Sequence, residues 1–424
     1  MRIILLLCIF GIAARILAQD LEKPAPFRPV VMLHGFLASG DTWASFCDFF
    51  TRSGYPADYL YVHDWNTLNQ GADHIQALDA AIDTLLMRTG ARQIDLIGHS
   101  AGGGLAYRYL ADSTRASKVC RYVHIGSRRQ KQPAGPQGQI PTLNLWSKDD
   151  HITAAAGGTI EGAVNRMLSG LDHYQVATHF DAFSEVYHFL NNDMPHLHVQ
   201  PTRAGVPIGG RAVFLGNNKP LSAARVELYY LDTSSGQRLS QLPDVQVRTD
   251  KDGRWYISHV QTGVPVELVL AAPETTRPVH YFFPGFERPC LLVYLRALPT
   301  GADFLSTVLN NLPCTSTQSV ISIYLSSQSA QAGRDSLTIN NISLSTHSIA
   351  PPEKVAISFF LYDEDGDGRS SIAPLNRFAR FPFLTGVDMH LPPNEDIPLE
   401  IYFNGKLQRV RRIPSHEGIQ VIVF

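Results

Sequence analysis

The sequence predicts a two-part protein: an α/β first half with a mostly parallel sheet and helices on both faces, followed by an all-β second half. Up to about residue 192, short apolar runs alternate with segments of helical periodicity, which is typical of parallel strands joined by crossover helices. After that point apolar residues recur with a period of two and turn clusters interrupt them, which favours an antiparallel sandwich or barrel. A Gly-x-Ser-x-Gly pentapeptide at residues 98–102 marks the first half as the part that carries chemistry.

The composition permits packed domains and excludes several classes of protein. The chain has 424 residues, more than one hydrophobic core usually organises, so two or three domains are expected. Lys and Arg number 36 against 38 Asp and Glu, and this balance without basic blocks argues against nucleic acid as the main partner. Apolar residues make up 44% of the chain, which excludes disorder for most of its length.

Each element of the first half is predicted from its periodicity. Strands are predicted at Pro29–Leu33, Tyr59–His63, Gln93–Ile97, Tyr122–Ile125, Thr142–Trp146 and Tyr174–Thr178, and helices at Asp41–Ser53, Ala72–Arg88, Ala101–Leu110 and Phe183–Leu190. The second of these helices is typical, since Ile75, Leu78 and Ile82 recur on one side of it. These elements define a catalytic domain at residues 24–194.

The second half is predicted as two successive β domains after a linker at residues 195–206. The first β domain covers residues 207–315 and the second 316–424, with a Ser/Thr/Gln-rich break between them. The turn at Thr249–Trp255 resembles the hairpin turns of transthyretin-like β modules.

Residues 1–18 predict a secretory signal peptide that is cleaved near Ala18. A basic residue precedes a short apolar run there, and the segment ends on a small residue, Ala18. The run is too short to cross a bilayer, which needs about 20 apolar residues, so we expect a secreted protein without a transmembrane segment.

An exported chain would retain four cysteines, an even number that permits two disulfides. Proximity in sequence favours the pairs Cys47–Cys120 and Cys290–Cys314. Buried free thiols remain an alternative of equal weight for the first pair.

The pentapeptide Gly98–Gly102 lies between an apolar strand and a helix, which is the context of a nucleophilic serine. Small neighbours allow the tight strand-to-helix turn that exposes Ser100 at the helix N-terminus. The N–H of Ala101, the residue after the nucleophile, is one predicted oxyanion-hole donor. The loop His34-Gly35-Phe36 follows the first strand, so the Phe36 N–H is predicted to be the other.

The acid and the base of a catalytic triad should follow Ser100 in that order. The acid should come after the strand Thr142–Trp146, where Asp149 and Asp150 compete. The base should follow the last strand, and His179 directly follows the predicted strand Tyr174–Thr178. The other histidines lie less favourably: His173 at the wrong end of that strand, His188 within a helix, and His196 and His198 in the linker.

These motifs resemble those of the α/β-hydrolase fold, and within it the lipases with His-Gly-φ oxyanion loops and Gly-His-Ser-x-Gly elbows. The second half, with Gly-Arg-Ala-Val-Phe-Leu at 210–215 and Phe-Leu-Tyr-Asp at 360–363, is similar to lipases whose C-terminal β-barrel domain helps to hold long acyl chains. The resemblance favours Asp150 over Asp149 through its Asp-x-Ile/Val-Val/Thr spacing. In the lipases with such a β-barrel domain, the triad acid follows the strand after the elbow helix. The corresponding strand here, Tyr122–Ile125, is followed by no carboxylate.

The resemblance implies a triacylglycerol lipase or carboxylesterase that acts on lipid or other carboxylic esters through the triad Ser100, Asp150 and His179. The β domains would assist with long-chain or surface-bound substrates. Two alternatives stay open: a short-chain, polyester or thioester hydrolase with the same triad, and a binding protein on an inactive scaffold. No cofactor is implied, although Asp363, Asp365 and Asp367 match the first half of a Ca²⁺ loop.

Overall fold

The computed structural model describes residues 27–69, 73–153, 157–199, 201, 203–298, 304–309 and 311–424. The predicted signal peptide at residues 1–18 lies outside these ranges. Within them, every helix is too short or too polar to span a membrane.

The first half is built on a parallel sheet of six strands in the order β2-β1-β3-β4-β5-β6. The strands are β1 (Val30–Leu33), β2 (Leu60–His63), β3 (Ile94–His99), β4 (Val119–Ile125), β5 (Thr142–Ser147) and β6 (Val164–Leu168). The central strands β1 and β3 are buried along their whole length. Such strands need continuous apolar runs, which is why the sequence showed them so clearly.

Helices cover both faces of this sheet, as the sequence predicts. They are α1 (Ala44–Arg52), α2 (His74–Thr89), α3 (Ala101–Leu110), α4 (Ser113–Ala116) and α5 (Phe180–Asn191). Val30 and Met32 of β1 share a core with α1 and α5, whereas Val31 and Leu33 share one with α2 and α3. Alternate side chains of one strand thus serve opposite faces, and the predicted α/β fold class is confirmed.

The last strand of the sheet is not the one that the sequence predicts. Residues Tyr174–Thr178 form no strand; a 3₁₀ turn occupies Gln175–Ala177 instead. The last strand is β6, which lies at the edge of the sheet and has mostly exposed side chains. An edge strand with one neighbour needs no buried apolar run, so Val164–Leu168 carried a weak signal.

The second half is a β region of three sheets. Its strands are β7 (Gly205–Phe214), β8 (Arg225–Tyr230), β9 (Val245–Arg248), β10 (Arg254–Gln261), β11 (Val266–Ala271), β12 (Val279–Phe283), β13 (Cys290–Ala297), β14 (Ile321–Tyr324), β15 (Leu337–Ile339), β16 (Ile342–Ser343), β17 (Ser358–Tyr362), β18 (Leu384–Asp388), β19 (Asn394–Phe403), β20 (Lys406–Arg412) and β21 (Ile419–Val423), with one short helix, α6 (Phe304–Leu309). A three-stranded sheet has the order β10-β7-β13, and a four-stranded sheet has the order β16-β15-β19-β20. The largest sheet, β18-β17-β14-β21-β12-β11-β8-β9, takes strands from both sides of residue 316. The two β segments that the sequence separates therefore share one sheet.

The two predicted disulfides are wrong, because Cys47, Cys120, Cys290 and Cys314 are all free thiols. Cys47 packs within the core of the first half, whereas Cys314 is exposed in the β region. Burial raises the pKa of the Cys47 thiol to about 12. Proximity along the chain was a poor guide, since it takes no account of where the elements meet.

Candidate active site

Ser100 lies on a strained turn between β3 and α3. Its backbone has φ 52° and ψ −118°, a conformation that L-residues rarely adopt. The turn is possible because Gly98 and Gly102 have no side chains: a Cβ on Gly98 would approach Gly102 O to 2.8 Å, and one on Gly102 would approach Leu33 O to 2.5 Å. The sequence thus bends sharply enough to present the Ser100 hydroxyl above the end of the sheet.

Ser100, His173 and Asp150 form one hydrogen-bonded chain. The Ser100 Oγ lies 3.0 Å from His173 Nε2, and His173 Nδ1 lies 2.8 Å from Asp150 Oδ2. Asp150 is completely buried and the His173 side chain is 2% exposed. Because a carboxylate can only accept, His173 carries its proton on Nδ1, which leaves Nε2 free to accept the proton of Ser100.

Asp150 is held as an ion by the groups around it. Its carboxylate accepts hydrogen bonds from the Thr153 hydroxyl at 2.6 Å and the Thr153 N–H at 3.1 Å. Burial alone would raise its pKa, but the hydrogen bonds from His173 and Thr153 lower it to about 2. Asp149, the competing candidate, accepts instead from the Gly170 N–H at 2.5 Å. Of the two aspartates, the structure brings Asp150 to the histidine.

The prediction of His179 as the base is wrong. His179 caps the N-terminus of α5, where its Nδ1 accepts from the Asp181 N–H at 3.3 Å, and its side chain is 43% exposed. The expected rule, a base after the last strand, holds for β6, because His173 lies on the loop that follows it. The residue was missed because that strand was missed. The turn signal at Ser169-Gly170, just before Leu171-Asp172-His173, could have revealed it.

His99, the residue before Ser100, holds the backbone of His173. Its Nε2–H donates to the His173 carbonyl oxygen at 2.9 Å. Burial, with the neighbouring His173, lowers the pKa of His99 to about 3, so it stays neutral and keeps this donor role at neutral pH.

The predicted oxyanion loop lies directly beside Ser100. A Cβ on Gly35 would lie 3.1 Å from the Ser100 Cβ, which shows how closely the two backbones approach. Two residues after Gly35, the Leu37 N–H donates to the Thr67 hydroxyl at 3.0 Å. The Phe36 N–H therefore remains the natural donor from this loop, opposite the Ala101 N–H at the start of α3. Their shared role as an oxyanion hole stays a prediction.

The β region holds the oxyanion loop in place through Asn218. Its Nδ2 donates to Ala38 O at 2.9 Å and to Trp65 O at 3.2 Å, while its Oδ1 accepts from the Ser39 hydroxyl at 2.6 Å. Asn218 has a positive φ of 58°, which asparagine tolerates better than most residues. The imidazole of His34 packs against Trp65, and its Nε2 accepts from the Trp65 N–H at 3.2 Å. Asn218, a residue of the second half, thus fixes the loop that follows the first strand of the first half.

Further contacts join the same loop to β13. Arg296 pairs with Asp41 at 2.6 Å, with both side chains nearly buried. Asp64 accepts from the Gly40 N–H at 2.8 Å and from the Tyr294 hydroxyl at 2.6 Å. The chain that follows Phe36 is therefore anchored to the β region on more than one side.

For the ester hydrolysis that the sequence motifs imply, we expect Asn218→Asp to lower kcat with a short-chain ester by roughly tenfold to a hundredfold. The new carboxylate oxygen would face the carbonyl oxygens of Ala38 and Trp65, so the loop that carries Phe36 must move. Steady-state kinetics with p-nitrophenyl butyrate would measure the loss. Asn217→Asp is the matched control, because the Asn217 Oδ1 that accepts from the Lys219 N–H at 2.9 Å is retained. Equal losses in both variants would contradict this anchoring role.

A largely apolar cavity opens beside the triad, between the two halves of the chain. The empty space within it, with the open solvent at its mouth included, is about 1010 Å³. Phe36, His99 and His173 line it on one side. Its other wall is one face of the largest sheet, where four neighbouring cross-strand positions face it: Tyr281, Val421, Ser322 and Phe360. The second half therefore contributes directly to the cavity that His173 lines.

The acidic loop at Asp363–Asp367 lies in the β region, among residues separate from the triad. One carboxylate oxygen from each of Asp363, Asp365 and Asp367 lies within 4.8 Å of the others. Asp363 also accepts from the Gly366 and Gly368 N–H groups, both at 2.8 Å. Carboxylates in this arrangement are possible ligands for Ca²⁺.

Family models match three parts of the chain. The model for lipase (class 2) matches residues 27–124, and that for the lipase C-terminal domain matches residues 204–298. A further C-terminal domain model matches residues 313–415. The first two fall on the α/β half and on the start of the β region.

Curated relatives match about a quarter of the chain. A non-heme chloroperoxidase of Burkholderia pyrrocinia is 32% identical over 114 residues, which cover 24% of this chain and 38% of that protein. A triacylglycerol lipase of Vibrio cholerae is 32% identical over 121 residues, 27% of this chain and 37% of that protein. The match thus spans little more than a third of the length of each relative. Among solved structures, a mature lipase of Bacillus licheniformis is 15% identical, with 40% of this chain and 94% of that chain covered and a TM-score of 0.33.

Proposed function

We propose that this chain, which belongs to the α/β-hydrolase lipase family, is a serine-dependent carboxylic ester hydrolase. One observation carries the proposal: Ser100 Oγ, His173 and Asp150 are linked by hydrogen bonds of 3.0 and 2.8 Å on a strained turn. That arrangement suits acyl transfer through a covalent intermediate on a serine.

The proposed reaction has two steps. His173 Nε2 accepts the proton of Ser100 as Oγ attacks the ester carbonyl carbon, and Asp150 stabilises the imidazolium that forms. The N–H groups of Phe36 and Ala101 donate to the negative oxygen of the tetrahedral intermediate. The proton then passes from His173 to the departing alcohol, which leaves an acyl-enzyme. In the second step water attacks the acyl carbon while the same imidazole takes its proton; that proton then passes to Ser100 Oγ as the carboxylic acid leaves.

We further propose that the substrates carry long apolar acyl chains, as acylglycerols do. The largely apolar cavity next to the triad supports this substrate class, because burial of each CH₂ group is worth about 0.8 kcal/mol. The face of the largest sheet would then contact the acyl chain. A short acyl group would leave this apolar wall without contact to the substrate.

Hydrolysis of p-nitrophenyl esters with acyl chains of two to sixteen carbons tests the proposal, together with labelling by an organophosphate. We expect the highest kcat/KM with chains of eight carbons or more. One organophosphate per chain should be bound, on the peptide that contains Ser100, with activity lost in proportion. Absence of any serine-dependent turnover would refute the proposal that the chain is an ester hydrolase. A preference for the acetate ester would refute the proposal of long-chain substrates.

Filling the cavity should remove long-chain activity selectively. Val421 lies between Tyr281 and Ser322 in the wall of the cavity, so we expect Val421→Trp to lower kcat/KM for the palmitate ester at least about tenfold. Turnover of the acetate ester, which does not reach this wall, should change by less than about threefold. Parallel losses for both esters would show that the wall does not bind the acyl chain.

A further inference from the structure

The loop that carries His173 is held from outside the catalytic domain. Asp172, the residue before it, is 1% exposed, and its Oδ2 accepts three hydrogen bonds from the last third of the chain. The donors are the Ser329 N–H at 3.0 Å, the Ser329 hydroxyl at 2.9 Å and Arg334 Nη2 at 2.9 Å. A buried carboxylate needs such partners, since desolvation would otherwise make its charge very costly.

The other oxygen of the same carboxylate shapes the turn around His173. Asp172 Oδ1 accepts from the Tyr174 N–H at 2.8 Å and from the Gln175 N–H at 2.9 Å. Gln175 Oε1 accepts in return from the Asp172 N–H at 3.0 Å and from Arg334 Nη1 at 3.2 Å. One carboxylate therefore links the backbone on both sides of the histidine to Arg334.

Two more contacts from the same part of the chain converge on this loop. The Phe383 ring stacks on the His173 imidazole, with centroids 5.9 Å apart and an interplanar angle of 13°. Phe383 has a φ of 71°, which is strained for a bulky residue. The Thr178 hydroxyl donates to Ser327 O. Strain at a residue that touches the base indicates that its position is fixed by the surrounding structure.

We propose that Asp172 and Arg334 are positioning residues for the general base, so that residues 316–424 set the reactivity of Ser100 as well as any binding of lipid. This inference rests on the proposed ester hydrolysis. Its physical basis is that the His173 imidazole must meet both Ser100 Oγ and Asp150 Oδ2, and a displacement of about 1 Å can cost a hundredfold in rate. Arg334 acts through Asp172 and touches neither the substrate nor the reacting atoms.

The test compares Arg334→Ala, Arg334→Lys and Ser329→Ala in the full chain. The matched control is Arg409→Ala, which removes a surface ion pair with Glu400 (2.8 Å) in the same part of the chain. For each variant, kcat and KM with p-nitrophenyl butyrate, the rate of organophosphate labelling and the Tm are measured. Active-site titration gives the fraction of folded sites.

For Arg334→Ala we expect kcat per titrated site to fall roughly tenfold to a hundredfold, with KM changed by less than about threefold. The labelling rate should fall by a similar factor, because it depends on the same histidine. Arg334→Lys should restore part of the loss, since it keeps the charge but not the forked geometry. Ser329→Ala should lose less than Arg334→Ala, because the Ser329 N–H remains, and Arg409→Ala should match the wild type.

An unchanged kcat per titrated site in Arg334→Ala would overturn the inference, even if Tm falls, because the contact would then be purely structural. An equal loss in Arg409→Ala would overturn it too. If the wild type itself shows no serine-dependent turnover or labelling, the proposed function fails first and the positioning role fails with it. If the wild type is active and Arg334→Ala has the same kcat per titrated site, the positioning role fails while the proposed function stands.

Discussion

Replacing His173 by alanine is expected to lower kcat/KM for ester hydrolysis on the order of 10⁴-fold. The imidazole lies 3.0 Å from Ser100 Oγ and 2.8 Å from Asp150 Oδ2, and among the described residues it is the side chain placed to accept the serine proton. Steady-state kinetics with p-nitrophenyl butyrate measures the effect. Serine labelling by an organophosphate should slow by a comparable factor, because both reactions need the activated Ser100.

His179→Ala provides the matched control for this prediction. His179 lies six positions later in the chain, at the exposed N-terminus of α5, and its Nδ1 contacts only the local residue Asp181 among described groups. We expect kcat/KM within about twofold of the wild type, with a small loss of stability from the lost helix cap, which is typically worth about 1 kcal/mol. If His179→Ala were the inactive variant and His173→Ala the active one, the assignment of the base would be wrong.

The sequence located much of the site because its signals there are local. Ser100 is recognisable from the glycines around it, and Phe36 from its place after the first buried strand. Asp150 follows β5, in which Leu143 and Leu145 are buried. His173 follows β6, an edge strand whose exposed side chains leave no periodic pattern, so the search for the base started from a strand that does not exist.

The contacts between the two halves could not be predicted from the sequence. Asn218 donates a hydrogen bond to Ala38, 180 residues away in sequence, and Arg334 donates one to Asp172, 162 residues away. Polar side chains in loops carry no periodicity, and their partners are set only when the sheets pack together. The fold class followed from patterns within each segment, whereas the anchoring of the loops that carry Phe36 and His173 depends on the assembled protein.

The turn at Ser100 also predicts a large loss of stability from a single methyl group. In Gly102→Ala the added Cβ would lie 2.5 Å from Leu33 O and 2.7 Å from His34 O, both of them backbone atoms that no rotamer change can move. We expect the free energy of unfolding to fall by about 3 kcal/mol, the upper range for an overpacked core. Urea unfolding would measure it. Activity should fall as well, because the displaced backbone leads directly into the loop that carries Phe36.

Gly104→Ala tests whether this effect comes from crowding or from a general need for glycine in α3. Beyond the adjacent residues and backbone of its own helix, none of the described residues places an atom within 4 Å of a Cβ built on Gly104, two positions further along α3. Alanine should therefore raise the free energy of unfolding by up to about 1 kcal/mol, through its higher helix propensity, and leave kcat unchanged. Equal stability of the two variants would show that the close approach of α3 to the end of β1 does not constrain the turn. A loss of unfolding free energy in Gly102→Ala together with a gain in Gly104→Ala would show that Gly102 is required for the turn that exposes Ser100 beside the oxyanion loop.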